Sequence, residues 1–273
     1  MADDIANDHA LLREAASEAA RLALTFWKGP LSTSRKADGS IVTNADLAVD
    51  ALLESILRTA RPDYGWLSEE SAEHELRLSR KRVWALDPID GTRAFVQGRD
   101  DWTIALSLLD EGSPILSVIV NPVREETFEA RRGAGAFLNG ERIAVSDRAE
   151  VPGARLSASD GVLKKAIWNE PWPELDTAWA HSLAYRFALV ACGRIDAALA
   201  LNSKSEWDVA SGALLVQEAG GAATLPSGKE LRFNSPEAKV YGFLAAAPKL
   251  HQILVGRLEG AQEKLALLRK TGA

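Results

Sequence analysis

An apolar run at 83–86 ends on two carboxylates, Asp87 and Asp90, three residues apart, with Pro88 stiffening the chain between them and Gly91-Thr92 following. This DPIDGT segment restricts the fold more than any other stretch. A strand that stops on two acids and a Gly-Thr turn is poor core and poor surface decoration. Acids locked side by side repel each other unless a cation sits with them. The pattern suits a hard cation held by oxygen ligands, next to backbone amides that can take a phosphate. A helix starting after Gly91 would aim free N–H groups at that phosphate.

The rest of the chain can support such a site. Its 273 residues are 47% hydrophobic, enough for a sizeable core and close to the length at which single cores split. The net charge of -6 leaves no basic footprint for nucleic acid, so no nucleic-acid partner is expected. The one cysteine, Cys192, sits in an apolar run and reads as a buried, inert thiol; no intrachain disulfide is possible, which suits a reducing cytoplasm. The start, MADDIANDHA, lacks a signal pattern, and no apolar run approaches the ~20 residues of a membrane helix. A cytoplasmic protein without a membrane partner is expected. His9, His74, His181 and His251 are scattered without zinc-site spacing and are given no part in the chemistry.

Hydrophobic periodicity predicts helices at 8–28, stopped by Gly29-Pro30, and at 44–60, with a loop between them. Strands follow at 64–68 and 83–86, a hairpin at 102–109 and 115–120, and short strands at 127–130 and 136–138. After about residue 150 strands and helices alternate: strand 155–158, helix 181–192, strand 195–201, helix 207–219, strands 222–225 and 240–246, and a closing helix at 248–269. The first half reads as α+β with an antiparallel sheet, the second as mixed α/β. Two subdomains, 1–150 and 151–273, are expected. The Trp- and Pro-rich segment 160–180 gives no clear pattern.

Acids also stand beside turns or helix starts at Glu69-Glu70 and at Asp208. Each has an ordinary alternative. Asp208 could stabilise a helix N-terminus by about 0.3–1 kcal/mol. Asp46, three residues after Thr43, could close a capping box. Glu69-Glu70 could be a solvated strand end. Together they suit metal-assisted phosphoryl transfer, in which a carboxylate shared by two cations, each with a further acid, needs at least three acids.

WLSEES (66–71), DPIDGT (87–92), WDVASG (207–212) and IVTNAD (41–46) together resemble the inositol monophosphatase family, as do ALVACG and QEAGG, over nearly the whole chain. The resemblance implies a layered αβαβα sandwich and a magnesium-dependent, lithium-sensitive phosphomonoesterase, working as a homodimer with two or three Mg2+ per subunit. It implies a first ion on Glu69, Asp87 and the carbonyl of Ile89, and a second on Asp87, Asp90 and Asp208. Thr92, with Asp46 behind it, would orient the attacking water, and Glu69 would share in that catalytic shell with Glu70 supporting it. The amides of Gly91 and Thr92 would hold the phosphate, and no phosphoenzyme is implied.

The departures concern the substrate. Ser68 replaces the usual glycine before the paired glutamates. Members acting on inositol phosphates carry a glutamate seven residues before the WD aspartate; here that position is Leu201, with Asn202 beside it. Basic residues stand near the expected pocket instead: Arg93, Arg186 and Lys204. SLAYRFALVA resembles the 3'(2'),5'-bisphosphate nucleotidase branch and GTRAF the histidinol-phosphate phosphatases. Each basic residue could be plain surface charge, yet three near one mouth point to a second anionic group on the substrate. Trp84 and Trp102 read as core, Trp207 as packing that fixes Asp208, and Trp168, Trp172 and Trp179 either as a pocket wall or as burial. A small soluble phosphate monoester of the inositol-1-phosphate type is the expected substrate; the nucleotidase and the histidinol-phosphate phosphatase are the alternatives. A non-catalytic metal-binding regulatory protein is the alternative of another class.

Overall fold

The computed structural model describes residues 2–37, 39–71, 75–164 and 167–271, so Asp38 and His74 lie outside the described residues. Helix α1 (Ala2–Phe26) begins earlier than its apolar stripe, since an acid such as Asp4 is favoured in a first turn. The expected loop after it holds a hairpin, β1 (Thr33–Arg35) with β2 (Ile41–Thr43), before α2 (Asn44–Ala60). Then come β3 (Gly65–Ser68), a 3-10 turn (Glu75–Ser79), β4 (Arg82–Asp90), α3 (Thr92–Val96), β5 (Thr103–Asp110), β6 (Ser113–Asn121), β7 (Glu126–Arg131), β8 (Gly135–Leu138) and β9 (Glu141–Arg142). The second half runs β10 (Arg155–Ser157), α4 (Asp160–Leu163), β11 (Asp176–Thr177), α5 (Leu183–Ala191), β12 (Ala197–Ser205), α6 (Glu206–Glu218), β13 (Ala222–Thr224), β14 (Lys239–Ala246) and α7 (Pro248–Thr271). No described helix is long and apolar enough to cross a membrane.

Strands β3 to β9 form one seven-stranded sheet in chain order. It is antiparallel from β4 onward, but β3 runs parallel to β4, so this pair cannot be a hairpin. The second sheet is mixed, in the order β11-β10-β12-β14-β13.

Alternation along the strands sorts the layers. On β4, Trp84 and Leu86 pack with α1 and α2, whereas Val83 and Ala85 pack with α5 and α6. On β12, Ala198 and Ala200 join the α5/α6 core, whereas Ala197 and Leu199 face α7. The result is helix, sheet, helix, sheet, helix, with α5 and α6 between the sheets. Gly212 lets those two helices touch: a Cβ there would lie 2.4 Å from Cβ of Phe187. Trp84 and Trp102 are fully buried. Trp168 and Trp172 pack edge to face with each other and lie against the α7 layer, away from the site described next. Cys192 is half-buried at the end of α5.

Candidate metal and phosphate site

A strand alternates its faces, so residues three apart, like Asp87 and Asp90, belong on opposite sides of a sheet. A bulge changes this. Asp87 pairs with Ala105 and Asp90 with Thr103, so β4 spends one residue more than β5 and both acids emerge on the α5/α6 face. The extra backbone lies at Pro88-Ile89. The Ile89 side chain is buried toward α1 and α2, its N–H donates to Asp87 Oδ1 at 3.0 Å, and its carbonyl accepts from the Thr92 hydroxyl at 3.2 Å. Asp90 reaches the start of α5, where Ser182 Oγ donates to Oδ2 at 2.7 Å and the Ala184 N–H at 2.6 Å.

The neighbouring strand end brings Glu69 and Glu70 alongside. Lys36, in the β1–β2 turn, binds both, at 2.9 Å to Glu69 Oε1 and 2.8 Å to Glu70 Oε1. Burial raises the Glu70 carboxyl to about 7, with Lys36 opposing and the charge of Glu69 adding to the rise. Asp46 does close the capping box of α2: Oδ2 accepts from the Thr43 N–H at 2.8 Å. Its other oxygen, Oδ1, accepts from the Thr92 hydroxyl at 3.2 Å. The structural and the functional reading of Asp46 therefore use different oxygens of one side chain.

From the opposite side, the first turn of α6 presents Asp208. Its neighbour Glu206 is spent on structure, accepting from the N–H groups of Asn234 and Ser235. One carboxylate oxygen from each of Glu69, Asp87 and Asp208 lies within 4.8 Å of the others. Asp87 is 2% exposed. Burial, then the charge of Glu69, then those of Asp90 and Asp208, hold the Asp87 carboxyl well above its ordinary range. Asp208 is raised for the same reasons, burial first and then Asp90 and Glu69, with Lys204 opposing. A set of converging, mutually repelling carboxylate oxygens fits a hard cation better than any other occupant.

These acids form one side of a cleft of about 430 Å³, also lined by Gly91, Thr92, Arg93, Trp179, His181, Arg186, Lys204 and Trp207. Arg93, Arg186 and Lys204, scattered in sequence, thus share one mouth. Asp46 and Glu70 stand behind it. Leu201 does not reach it: β12 carries an extra residue between Ala200 and Ser203, and the Leu201 side chain packs in the α7 layer.

Two groups of the site, Lys36 behind the acids and His181 in the cleft, had no signal in the sequence. Lys36 lies in a short exposed hairpin without periodicity. His181, which was given no part, lines the cleft, and its Nδ1 and N–H both meet Asp101 Oδ2, at 2.8 and 2.9 Å. Burial would raise Asp101, but these bonds and Arg99 outweigh it and hold the carboxyl at about 2.

Comparisons with known proteins agree with this geometry. The model of the inositol monophosphatase family matches residues 4–263. The inositol-1-monophosphatase of Caulobacter vibrioides is 34% identical over 262 residues, 91% of this chain and 99% of the relative. The Nus factor SuhB of Xylella fastidiosa is 34% identical over 207 residues, 70% of this chain and 71% of the relative. Among solved structures, the Thermotoga maritima IMPase is similar with a TM-score of 0.79 at 28% identity, over 96% of this chain and 99% of that one.

Proposed function

Because the chain belongs to the inositol monophosphatase family, a family of phosphomonoester hydrolases, we propose that it hydrolyses a small soluble phosphate monoester with magnesium as cofactor. The convergence of Glu69, Asp87 and Asp208 within 4.8 Å carries this reading. Glu69, Asp87 and the Ile89 carbonyl would hold one ion, and Asp87, Asp90 and Asp208 a second, with Glu70 supporting and a third ion allowed for. When bound, magnesium would make a water more acidic and stabilise charge on the leaving oxygen.

The chain's own groups orient the reaction. Asp46 Oδ1 accepts a hydrogen bond from the Thr92 hydroxyl, which leaves the Thr92 oxygen's lone pairs to accept one from the attacking water. Gly91, with a φ of 93°, turns the chain so that its own amide and that of Thr92 would meet the phosphoryl oxygens. Water then displaces the alkoxide directly, the P–O ester bond breaks and the alkoxide leaves with a proton; no protein group is phosphorylated. Residues 1–150 and 151–273 would act as two subdomains, the first supplying Glu69, Asp87 and Asp90 and the second Asp208. A cytoplasmic homodimer, inhibited by lithium, completes the reading.

Phosphate release from inositol-1-phosphate, adenosine 3',5'-bisphosphate and histidinol phosphate, with and without magnesium and lithium, tests it. Release that needs magnesium and falls with lithium is expected; none from any of the three would sink the proposal. Relatives named Nus factor SuhB favour a second, regulatory reading. Magnesium binding seen by calorimetry without turnover on a wide phosphate panel would select that one.

A further inference from the structure

Arg186 is 7% exposed, yet among the described residues no carboxylate pairs with it. Its recorded side-chain hydrogen bond runs from Nε to the Ala180 carbonyl at 2.6 Å. A guanidinium has five N–H donors, so four remain on a side chain that lines the cleft. Its plane is fixed by stacking, with Cζ 3.5 Å from the ring centroid of Trp179. The charges of Asp90 and Asp101 act on Arg186 from a distance, but no carboxylate contacts it among the described residues; a buried arginine oriented by an aromatic ring and left with free donors suits an anion.

Lys204 strengthens the point. It lines the same cleft at the end of the bulged strand β12 and has no ion-pair partner among the described residues. Both cations feel the nearby acids, Lys204 those of Asp208 and Asp90 and Arg186 those of Asp90 and Asp101, but among the described residues neither is locked to one in an ion pair. Arg186 sits one turn of α5, roughly 5 Å of rise, beyond Ser182, which holds Asp90. Trp179 is 52% exposed, with one face covered by Arg186. The other face is free to lie against the body of a substrate.

We propose that the substrate carries a second anionic group, which Arg186 and Lys204 bind within the same cleft as the phosphate being cleaved. This rests on the phosphomonoesterase reading and narrows it. A substrate whose other groups are all neutral hydroxyls would leave Arg186 buried and unpaired.

The second anion could belong to a nucleotide or to a sugar, so the experiment uses one pair of each. Adenosine 3',5'-bisphosphate is compared with adenosine 3'-monophosphate, and fructose 1,6-bisphosphate with fructose 1-phosphate, by kcat/KM with magnesium. At least one pair is expected to favour the bisphosphate by about tenfold or more, the worth of one charge-assisted contact. A preference in the nucleotide pair alone assigns the free face of Trp179 to the base; a preference in both assigns the effect to the anion alone. Arg186→Gln and Lys204→Gln should each bring the ratio to within about threefold of unity. Because Arg186 is buried, its variant is checked by thermal melting, and Lys204→Gln, on a partly exposed residue, gives an independent reading. A ratio near one in both wild-type pairs overturns the proposal while leaving the phosphatase intact, as does a ratio unmoved in both variants. Silence on all four esters would mean that the phosphatase reading fails and this one with it.

Discussion

Asp87→Asn should make the cation-free protein more stable and the magnesium-loaded protein inactive. In the cation-free chain, burial first and then Glu69, Asp90 and Asp208 raise the Asp87 carboxyl. The folded chain therefore holds this proton more tightly than the unfolded one. That contribution to stability is intact below about pH 4 and is lost as pH rises through the raised folded value. Two ionised carboxylates 4–5 Å apart repel by roughly 3–4 kcal/mol at an effective dielectric of about 20. Asp87 belongs to two of the three close pairs in the cluster. Protonation caps the loss at about 1.4 kcal/mol per pH unit above ~3.9, or ~4 kcal/mol at pH 7 and ~1.5 kcal/mol at pH 5. Asparagine keeps the shape and can still accept from the Ile89 N–H, which bonds Asp87 at 3.0 Å. With about half of that ceiling realised, the variant gains roughly 2 kcal/mol at pH 7, or about 4–8 °C in Tm, and under ~1 kcal/mol at pH 5. Thermal melts at both pH values, in chelator and in excess magnesium, measure this. Magnesium should raise the wild-type Tm far more than that of the variant, so the order of stability reverses when the ion is added. A variant less stable than wild type in chelator at pH 7, or a gain equal at both pH values, would refute the electrostatic account of the cluster.

Thr92→Val removes the hydroxyl held by Asp46 but no carboxylate; kcat should fall about 10²-fold, with the magnesium-induced rise in Tm preserved. Lys36→Met strips the shared cation from Glu69 and Glu70. Burial already raises Glu70 to about 7, so the cation-free Tm should drop by the equivalent of about 1–2 kcal/mol at pH 8 and by less at pH 5. Gly212→Ala drives a methyl into Phe187 and should cost about 1–3 kcal/mol. Because α6 must then move, magnesium affinity measured by calorimetry should weaken as well; an unchanged affinity would show that Asp208 is positioned independently of that contact.

The acids were legible because each is tied to a local pattern: a strand end, a capping box or a helix start. Their meeting was not, since a three-residue spacing reads as opposite faces until the bulge at Pro88-Ile89 is known. A second bulge, in β12, explains why counting back from Asp208 lands on a leucine that faces α7. The parallel β3–β4 pair depends on a crossover, which alternation within a strand cannot report. Lys36 stayed hidden because β1 is three residues long and exposed throughout. His181 stayed hidden because its partner, Asp101, is 80 residues away. Trp179 was left undecided between wall and burial; the cleft claims it, and Trp168 and Trp172 go to the α7 layer.

Helix α5 ties the two halves of the cleft together. Its first turn holds Asp90 through Ser182 and Ala184, and Asp208 stands in the first turn of α6. Helix starts favour negative charge by about 0.3–1 kcal/mol each, which offsets part of the repulsion in the cluster. Both helices are held between two sheets by a large apolar cluster, which resists movement of the acids apart. Arg186 rides on the same α5, one turn on from Ser182, while Lys204 and Trp179 lie on segments that lead into α6 and α5. The basic side of the cleft is offered by side chains, whereas the acid cluster also depends on the β4 bulge, a capping box and buried backbone. Substitutions at 179, 186 or 204 can therefore change which phosphate ester is accepted without moving a carboxylate. No substitution at 87, 90 or 208 can alter the substrate without first disturbing the cation site.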